Sequence, residues 1–313
     1  MKRFLSMCKK FGYMFTFYSY LNARIKKECV RHRYEYFLER HLLKSIKPII
    51  KKYSETTINK EKIKPHRYIW VYWNTGFDNA PELVKVCLHS IIRHCSDWAE
   101  VRKVDLNNLL DYVDIPKDVM NKYRNGLICQ ANFSDIVRFA LLSKYGGMWV
   151  DATIYATDQI PMEILDSNFY TLKVFEPQRF HPPTYGRWNG FFWSGVNTNI
   201  VFNYMYDSLI EYWRNNDDAI NYIFHDFILR MGYERVLQIK EEIDAVKPNE
   251  EEIWYTLSQL NSKYSNELLE KVKNNNIFHK LSYKEKLQKE TSNGELTLYG
   301  YFCDLEGYNT SSI

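Results

Sequence analysis

Lys144-Tyr145-Gly146-Gly147-Met148-Trp149-Val150-Asp151-Ala152-Thr153 packs a helix end, a turn, a strand and an acid into one short stretch. Upstream, Asn132 to Lys144 predicts a helix whose core stripe is Ile136, Val137, Phe139, Ala140, Leu141 and Leu142. Tyr145-Gly146-Gly147 stops it, because glycine supplies the left-handed turn that ends many helices. Met148-Trp149-Val150 then reads as a strand that delivers Asp151-Ala152-Thr153 at its carboxyl end. In open α/β sheets, ligands bind beyond the carboxyl ends of strands. Asp151 directly follows apolar Val150, where a strand is still buried, so its carboxylate needs a partner. A divalent cation is the most economical one. On the preceding helix Asp135 and Arg138 stand three apart and share a face, as a surface ion pair or as part of a site.

The chain on either side supports an α/β protein. Tyr68-Ile69-Trp70-Val71-Tyr72-Trp73 is a β-branched and aromatic run that ends at the turn Asn74-Thr75-Gly76. A helix follows, with Asn79 as its expected cap and Pro81 in its first turn. Leu83, Val84, Cys87, Leu88, Ile91, Ile92 and Cys95 give it one buried face, completing a strand–turn–helix unit. Phe169–Phe175, Gly190–Trp193 and Leu296–Phe302 read as strands. Asn199–Arg214 and Asp217–Arg230 read as helices, with more helix to about Asn274.

The apolar share of 45% in 313 residues excludes a disordered chain, and 12 glycines with 9 prolines exclude a collagen-like one. Aromatics reach 16%, enough both to pack a core and to stack on sugars or bases. The net charge of +4 hides an asymmetry. Residues 1–64 carry 17 Lys or Arg against 5 Asp or Glu, so a +12 head precedes a body of −8. Such a head seeks phosphate or anionic lipid. Its uncharged run Phe11–Ala23 is too short to span a bilayer, but aromatic rings flanked by lysines and arginines suit the headgroup zone. The competing reading packs this helix on the protein itself. Arg31–Tyr53 reads as a basic helix broken near Pro48, and Ser54–Lys64 as a polar linker. The expected division is a helical segment 1–64 and one domain 65–313. Six scattered cysteines show neither zinc-finger spacing nor a disulfide framework, which suits a reducing, cytosolic compartment.

The blocks Phe133-Ser134-Asp135-Ile136-Val137-Arg138 and Lys144 to Thr153 resemble the core of DXD-type sugar transferases. These include relatives of yeast initiation-specific mannosyltransferase and the clostridial glucosylating toxins. The similarity is greatest to bacterial capsular polysaccharide synthesis proteins, whose motif often reads Asp-Ala-Thr. It extends more weakly from about Tyr68 to Lys284. It implies a GT-A fold, a Rossmann-like α/β architecture with a single mixed sheet, here with an added N-terminal helical segment and C-terminal helices. It also implies a nucleotide-sugar donor, most simply a UDP-sugar, and Mn²⁺ or Mg²⁺.

Carried over by position, Asp135 and Arg138 match the pair that holds the donor sugar, and Trp149 an aromatic beside the donor. Asp151 matches the first motif acid, and Trp70 the aromatic that stacks on the base, unless Trp70 and Trp73 are ordinary strand core. Thr153 departs from the pattern: a neutral hydroxyl replaces the second acid and leaves the site one negative charge short. His279, in Phe278-His279-Lys280-Leu281-Ser282-Tyr283-Lys284, is the candidate for the missing metal ligand, since C-terminal segments of such transferases often supply one. The alternative is a surface histidine among lysines. Lys280 or Lys284 would offset diphosphate charge.

The implied function is a metal-assisted, retaining glycosyltransferase of the hexosyltransferase class. It would extend a capsular or surface polysaccharide from a saccharide or lipid-linked acceptor at the cytoplasmic face of the cell membrane. A non-catalytic, membrane-docked saccharide-binding protein of the same fold is the alternative. Nucleic acid is not an expected partner, because the body is acidic and RNA-binding signatures are missing.

Overall fold

Gly147 can only be glycine in this fold. Its φ is +88°, and a Cβ there would stand 2.5 Å from the Tyr68 carbonyl oxygen. Gly146 (φ +67°) is equally confined: a Cβ would meet the Gly195 carbonyl oxygen at 2.6 Å. The pair therefore ends the helix Gln130–Tyr145 and lets the next strand slide between two neighbours. The computed structural model describes residues 2–56, 66–95, 97–175, 183–250, 252 and 254–308.

Two compact units make up the chain. The second comprises Lys62–Asp114, Leu141–Asn199 and Ile243–Ile313 and holds both sheets. Its strands are β1 (Tyr68–Tyr72), β2 (Glu100–Val104), β3 (Gly147–Val150), β4 (Ile154–Ala156), β5 (Phe169–Thr171), β6 (Phe192–Gly195) and β7 (Phe278–Lys280). The main sheet has the order β2-β1-β3-β6-β5. β2, β1 and β3 are parallel, β6 runs antiparallel to β3, and β5 antiparallel to β6. The expected single mixed sheet is present, accompanied by a small antiparallel ladder of β4 and β7. The helix Glu82–His94 lies between two apolar clusters. Val84, Leu88 and Ile91 face Ile69, Val71 and Met148 of the sheet, while Leu83, Val86 and Cys87 meet Leu298, Phe302 and Cys303.

The first unit comprises Met1–Glu61, Ile115–Ala140 and Ile200–Glu242, so the structure groups the basic head with two later segments. The helix Glu28–Glu55 buries Tyr34, Leu38, Leu42, Ile46, Ile50 and Tyr53 along one stripe. It packs on the helices Ile200–Asn215 and Phe224–Arg235. Arg230 reaches Glu35 at 2.8 Å and Glu39 at 2.6 Å, and the Tyr53 hydroxyl donates to Asp207 at 2.9 Å. No helix among the described residues is long and apolar enough to cross a membrane.

Several expected elements differ. The helix Glu28–Glu55 runs through Pro48, which sits on its exposed side, where the carbonyl it leaves unpaired can meet water. The head's first helices are Lys2–Phe11 and Tyr13–Asn22, separated at Gly12 (φ +89°). The helix expected from Asn79 starts at Glu82, capped by Pro81. The helix expected at Asp217 begins only at Phe224. Leu296–Phe302 is not a strand: the Thr297 hydroxyl accepts the Gly300 N–H and starts the helix Leu298–Leu305. Of the expected strand Phe169–Phe175 only β5 forms, and most of the expected linker Ser54–Lys64 lies outside the described residues.

Candidate active site

Three tryptophans form a row across the main sheet, Trp70 beside Trp149 and Trp149 beside Trp193. Each is 1% exposed, and a buried indole N–H must find an acceptor. Trp70 donates to the Gly146 carbonyl at 2.9 Å and Trp193 to the Gly190 carbonyl at 3.0 Å. Trp149 donates to Asp151 Oδ1 at 3.0 Å. This corrects one expectation and adds to another. Trp70 is walled in by Tyr68, Tyr112 and Tyr145 and offers no face to a base. Trp149, expected beside the donor, fixes the carboxylate of Asp151.

Asp151 sits one residue past β3, with its N–H bonded to the Phe191 carbonyl at 3.0 Å. Its side chain stays 25% exposed, so it is held and still reachable. Its second oxygen, Oδ2, receives the Lys280 ammonium at 2.8 Å. The same ammonium donates to Thr153 Oγ1 at 2.9 Å and lies 5.1 Å from the centre of the Phe191 ring. Asp151, Thr153, Lys280 and the positioning residue Trp149 are thus one group.

His279 is not part of it. In the β4–β7 ladder, Lys280 pairs with Ile154 and His279 with Tyr155, and successive side chains of a strand point to opposite faces. His279 is 2% exposed, with Nε2 3.1 Å from the Thr157 hydroxyl and Nδ1 2.8 Å from that of Thr256. Burial pushes its pKa down to about 4. It is a neutral core histidine whose two nitrogens are engaged, which corrects the expected metal ligand. Lys284 is exposed in the turn beyond β7.

The Mn²⁺ or Mg²⁺ that the resemblance implies finds a poor donor set here. Asp151 is the single carboxylate of the group, its two oxygens already accept Trp149 and Lys280, and Thr153 offers a neutral hydroxyl bonded to the same lysine. Among the described residues no three His, Cys, Asp or Glu side chains are spaced to hold a metal ion.

The sequence did not point to Trp73 and Tyr283 as a pair. Trp73 follows β1, whose carboxyl end lies at the same sheet edge as that of parallel β3. Its ring meets Tyr283 edge to face at 5.3 Å, and Tyr283 is 43% exposed.

In the first unit, Asp135 and Arg138 form a buried ion pair of 2.8 Å, not a surface one. His225, from the helix Phe224–Arg235, brings Nδ1 to 3.1 Å from Asp135 and Nε2 to 3.5 Å from Asp226. Burial opposes its charge, yet Asp135 and Asp226 outweigh that and raise its pKa to about 9. His225 lies some 90 positions from Asp135 in the sequence, and no spacing signals the partnership.

A mixed sheet carrying an acid just past the carboxyl end of β3 is an architecture of the GT-A kind. The chain belongs to the capsular polysaccharide synthesis protein family, whose family model matches residues 18–302. It is similar to the O-glycosyltransferase braB of Annulohypoxylon truncatum, 29% identical over 101 residues, which is 30% of this chain and 24% of that protein. It is also similar to the glycosyltransferase afumC of Aspergillus fumigatus, 30% identical over 95 residues, or 27% of this chain and 24% of that one. The chain thus spans about a quarter of the length of these curated relatives.

Proposed function

We propose that this protein is a glycosyltransferase that moves a sugar from a nucleotide-sugar donor, most simply a UDP-sugar, to a saccharide or lipid-linked saccharide acceptor. The observation that carries this reading is Asp151. It is a reachable carboxylate held past the end of β3, with a lysine ammonium at 2.8 Å, in a chain of the capsular polysaccharide synthesis family. In the reaction, the bond between the anomeric carbon and the diphosphate breaks, and its electron pair stays with the diphosphate. The acceptor oxygen bonds to that carbon, and the acceptor's proton leaves with the released diphosphate. Negative charge grows on the leaving group, and Lys280 is the cation at hand to stabilise it. Trp73 and Tyr283 take over the base-stacking role expected of Trp70. Retention of configuration is what the resemblance implies for this reading. The basic head, with Tyr13, Phe17 and Tyr20 exposed, supports docking on an anionic leaflet at the cytoplasmic face.

Melting curves of the full chain against a panel of nucleotide sugars, with release of free sugar measured in parallel, test the reading. A donor at a hundred times its Kd adds about 2.7 kcal/mol of stability. At least one donor should raise Tm and be turned over. Binding without turnover would favour a non-catalytic saccharide-binding protein, and neither would overturn the proposal.

A further inference from the structure

The sequence leaves the motif one negative charge short, and the structure shows a cation of matching charge in the gap. A motif with two acids carries −2 and suits a divalent ion. With Thr153 in the second place the motif carries −1 through Asp151, and the Lys280 ammonium supplies +1. The ammonium of Lys280 thus offsets the charge that Thr153 leaves out.

We propose that Lys280 is the resident cation of this site, its ammonium held between Asp151 and Thr153 where the resemblance places a divalent metal, so that the diphosphate is bound without one. This rests on the glycosyltransferase reading and specifies how its donor is held. An ammonium has three N–H donors. Two go to Asp151 and Thr153, and the third has no protein acceptor among the described residues, which leaves it for a phosphate oxygen. The lysine is held on three sides: by the carboxylate, by the hydroxyl, and by the Phe191 ring beneath it. The β4–β7 register fixes which side chain arrives, since a slip of one residue would deliver His279 instead. Its side chain is 16% exposed, so a bound ligand can reach it. A divalent ion and the ammonium repel one another and compete for the same oxygens of Asp151 and Thr153. Each therefore weakens the binding of the other.

The test uses the full chain and two readouts. The first is Mn²⁺ titration followed by the paramagnetic resonance of free ion, with no nucleotide present. Wild type should bind Mn²⁺ no more tightly than millimolar. Lys280→Gln, which takes the ammonium away from Asp151 and Thr153, should bind at least tenfold more tightly, and Lys280→Arg should behave as wild type. Tight Mn²⁺ binding by wild type, or no gain in Lys280→Gln, would overturn the proposal whatever the protein's activity. The second readout is UDP affinity by calorimetry. In EDTA, wild type should bind UDP within about threefold of its affinity with Mn²⁺. Lys280→Gln should lose at least tenfold in EDTA and recover with Mn²⁺. UDP binding by wild type only in the presence of Mn²⁺ would overturn the proposal. If wild type binds neither UDP nor any other nucleoside diphosphate under either condition, the glycosyltransferase reading itself falls, while the Mn²⁺ titration still decides the place of Lys280.

Discussion

Ile154 and Lys280 are partners across the β4–β7 ladder, and that single register aims an ammonium, not an imidazole, at Asp151. The account of the site rests on it, and it exposes Thr153 to a direct test. Thr153→Asp would give the motif −2 against the +1 of Lys280. The variant should bind Mn²⁺ more tightly than wild type by at least tenfold, and the double variant Thr153→Asp with Lys280→Gln more tightly still. Equal Mn²⁺ affinity in wild type and Thr153→Asp would mean that the Thr153 side chain does not face the bound cation.

Gly147 supports the strand that presents Asp151. Gly147→Ala meets both a left-handed φ and the Tyr68 carbonyl at 2.5 Å. Strained backbone of this kind costs about 1–3 kcal/mol, and the clash adds to it. Chemical denaturation should show a loss of at least that size, whereas Gly294→Ala, which meets no atom within 4 Å, should lose less. Equal losses would contradict the close packing of β3.

His225 makes the first unit sensitive to pH. Its folded pKa of about 9 lies above the ordinary 6.5, so the folded state binds the proton more tightly than the unfolded chain. The stabilisation is full below pH 6.5 and is lost as pH rises through 9. A shift of this size corresponds to about 3 kcal/mol. Wild type should exceed His225→Gln in unfolding free energy at pH 6, and the gap should close by pH 10. A gap independent of pH would show that the imidazole is not charged in the fold.

The legible parts of this protein were the local ones. The helix over Asp135 and Arg138, the glycine stop, β3 and the emergence of Asp151 all follow from one continuous stretch. What the sequence hid depends on distant partners. His279 and Lys280 are adjacent, and the alternation of a three-residue strand decides which faces the site. Trp70 looks like a stacking residue until its neighbours close around it. Leu296–Phe302 is a short apolar run, which periodicity alone cannot divide between strand and helix. The linker-like Ser54–Lys64 suggested a detachable head, yet Leu38, Leu42 and Ile46 are fully buried within the first unit.

That burial changes how the membrane proposal is tested. Deleting the head would uncover apolar surface, so charge reversal is the cleaner probe. Arg40, Lys44, Lys47, Lys51 and Arg235 ring a cavity of about 640 Å³ with Leu43 and Ile50 in its lining. Each basic residue near an anionic surface contributes about 1 kcal/mol. Lys44→Glu, Lys47→Glu and Lys51→Glu together should weaken sedimentation with phosphatidylserine vesicles by about a hundredfold or more. Wild-type binding should fade with salt. Unchanged, salt-insensitive binding would remove the electrostatic docking.

The central claim is that Asp151 belongs to a sugar-transfer site. Donor turnover by Asp151→Asn, measured beside wild type with the donor that raises Tm most, tests it most directly. Removing one preorganised electrostatic group typically costs about a hundred- to a thousand-fold in rate. The account predicts a loss of that size in kcat/KM, with far-ultraviolet circular dichroism unchanged. An Asp151→Asn protein that turns over donor as fast as wild type would contradict it.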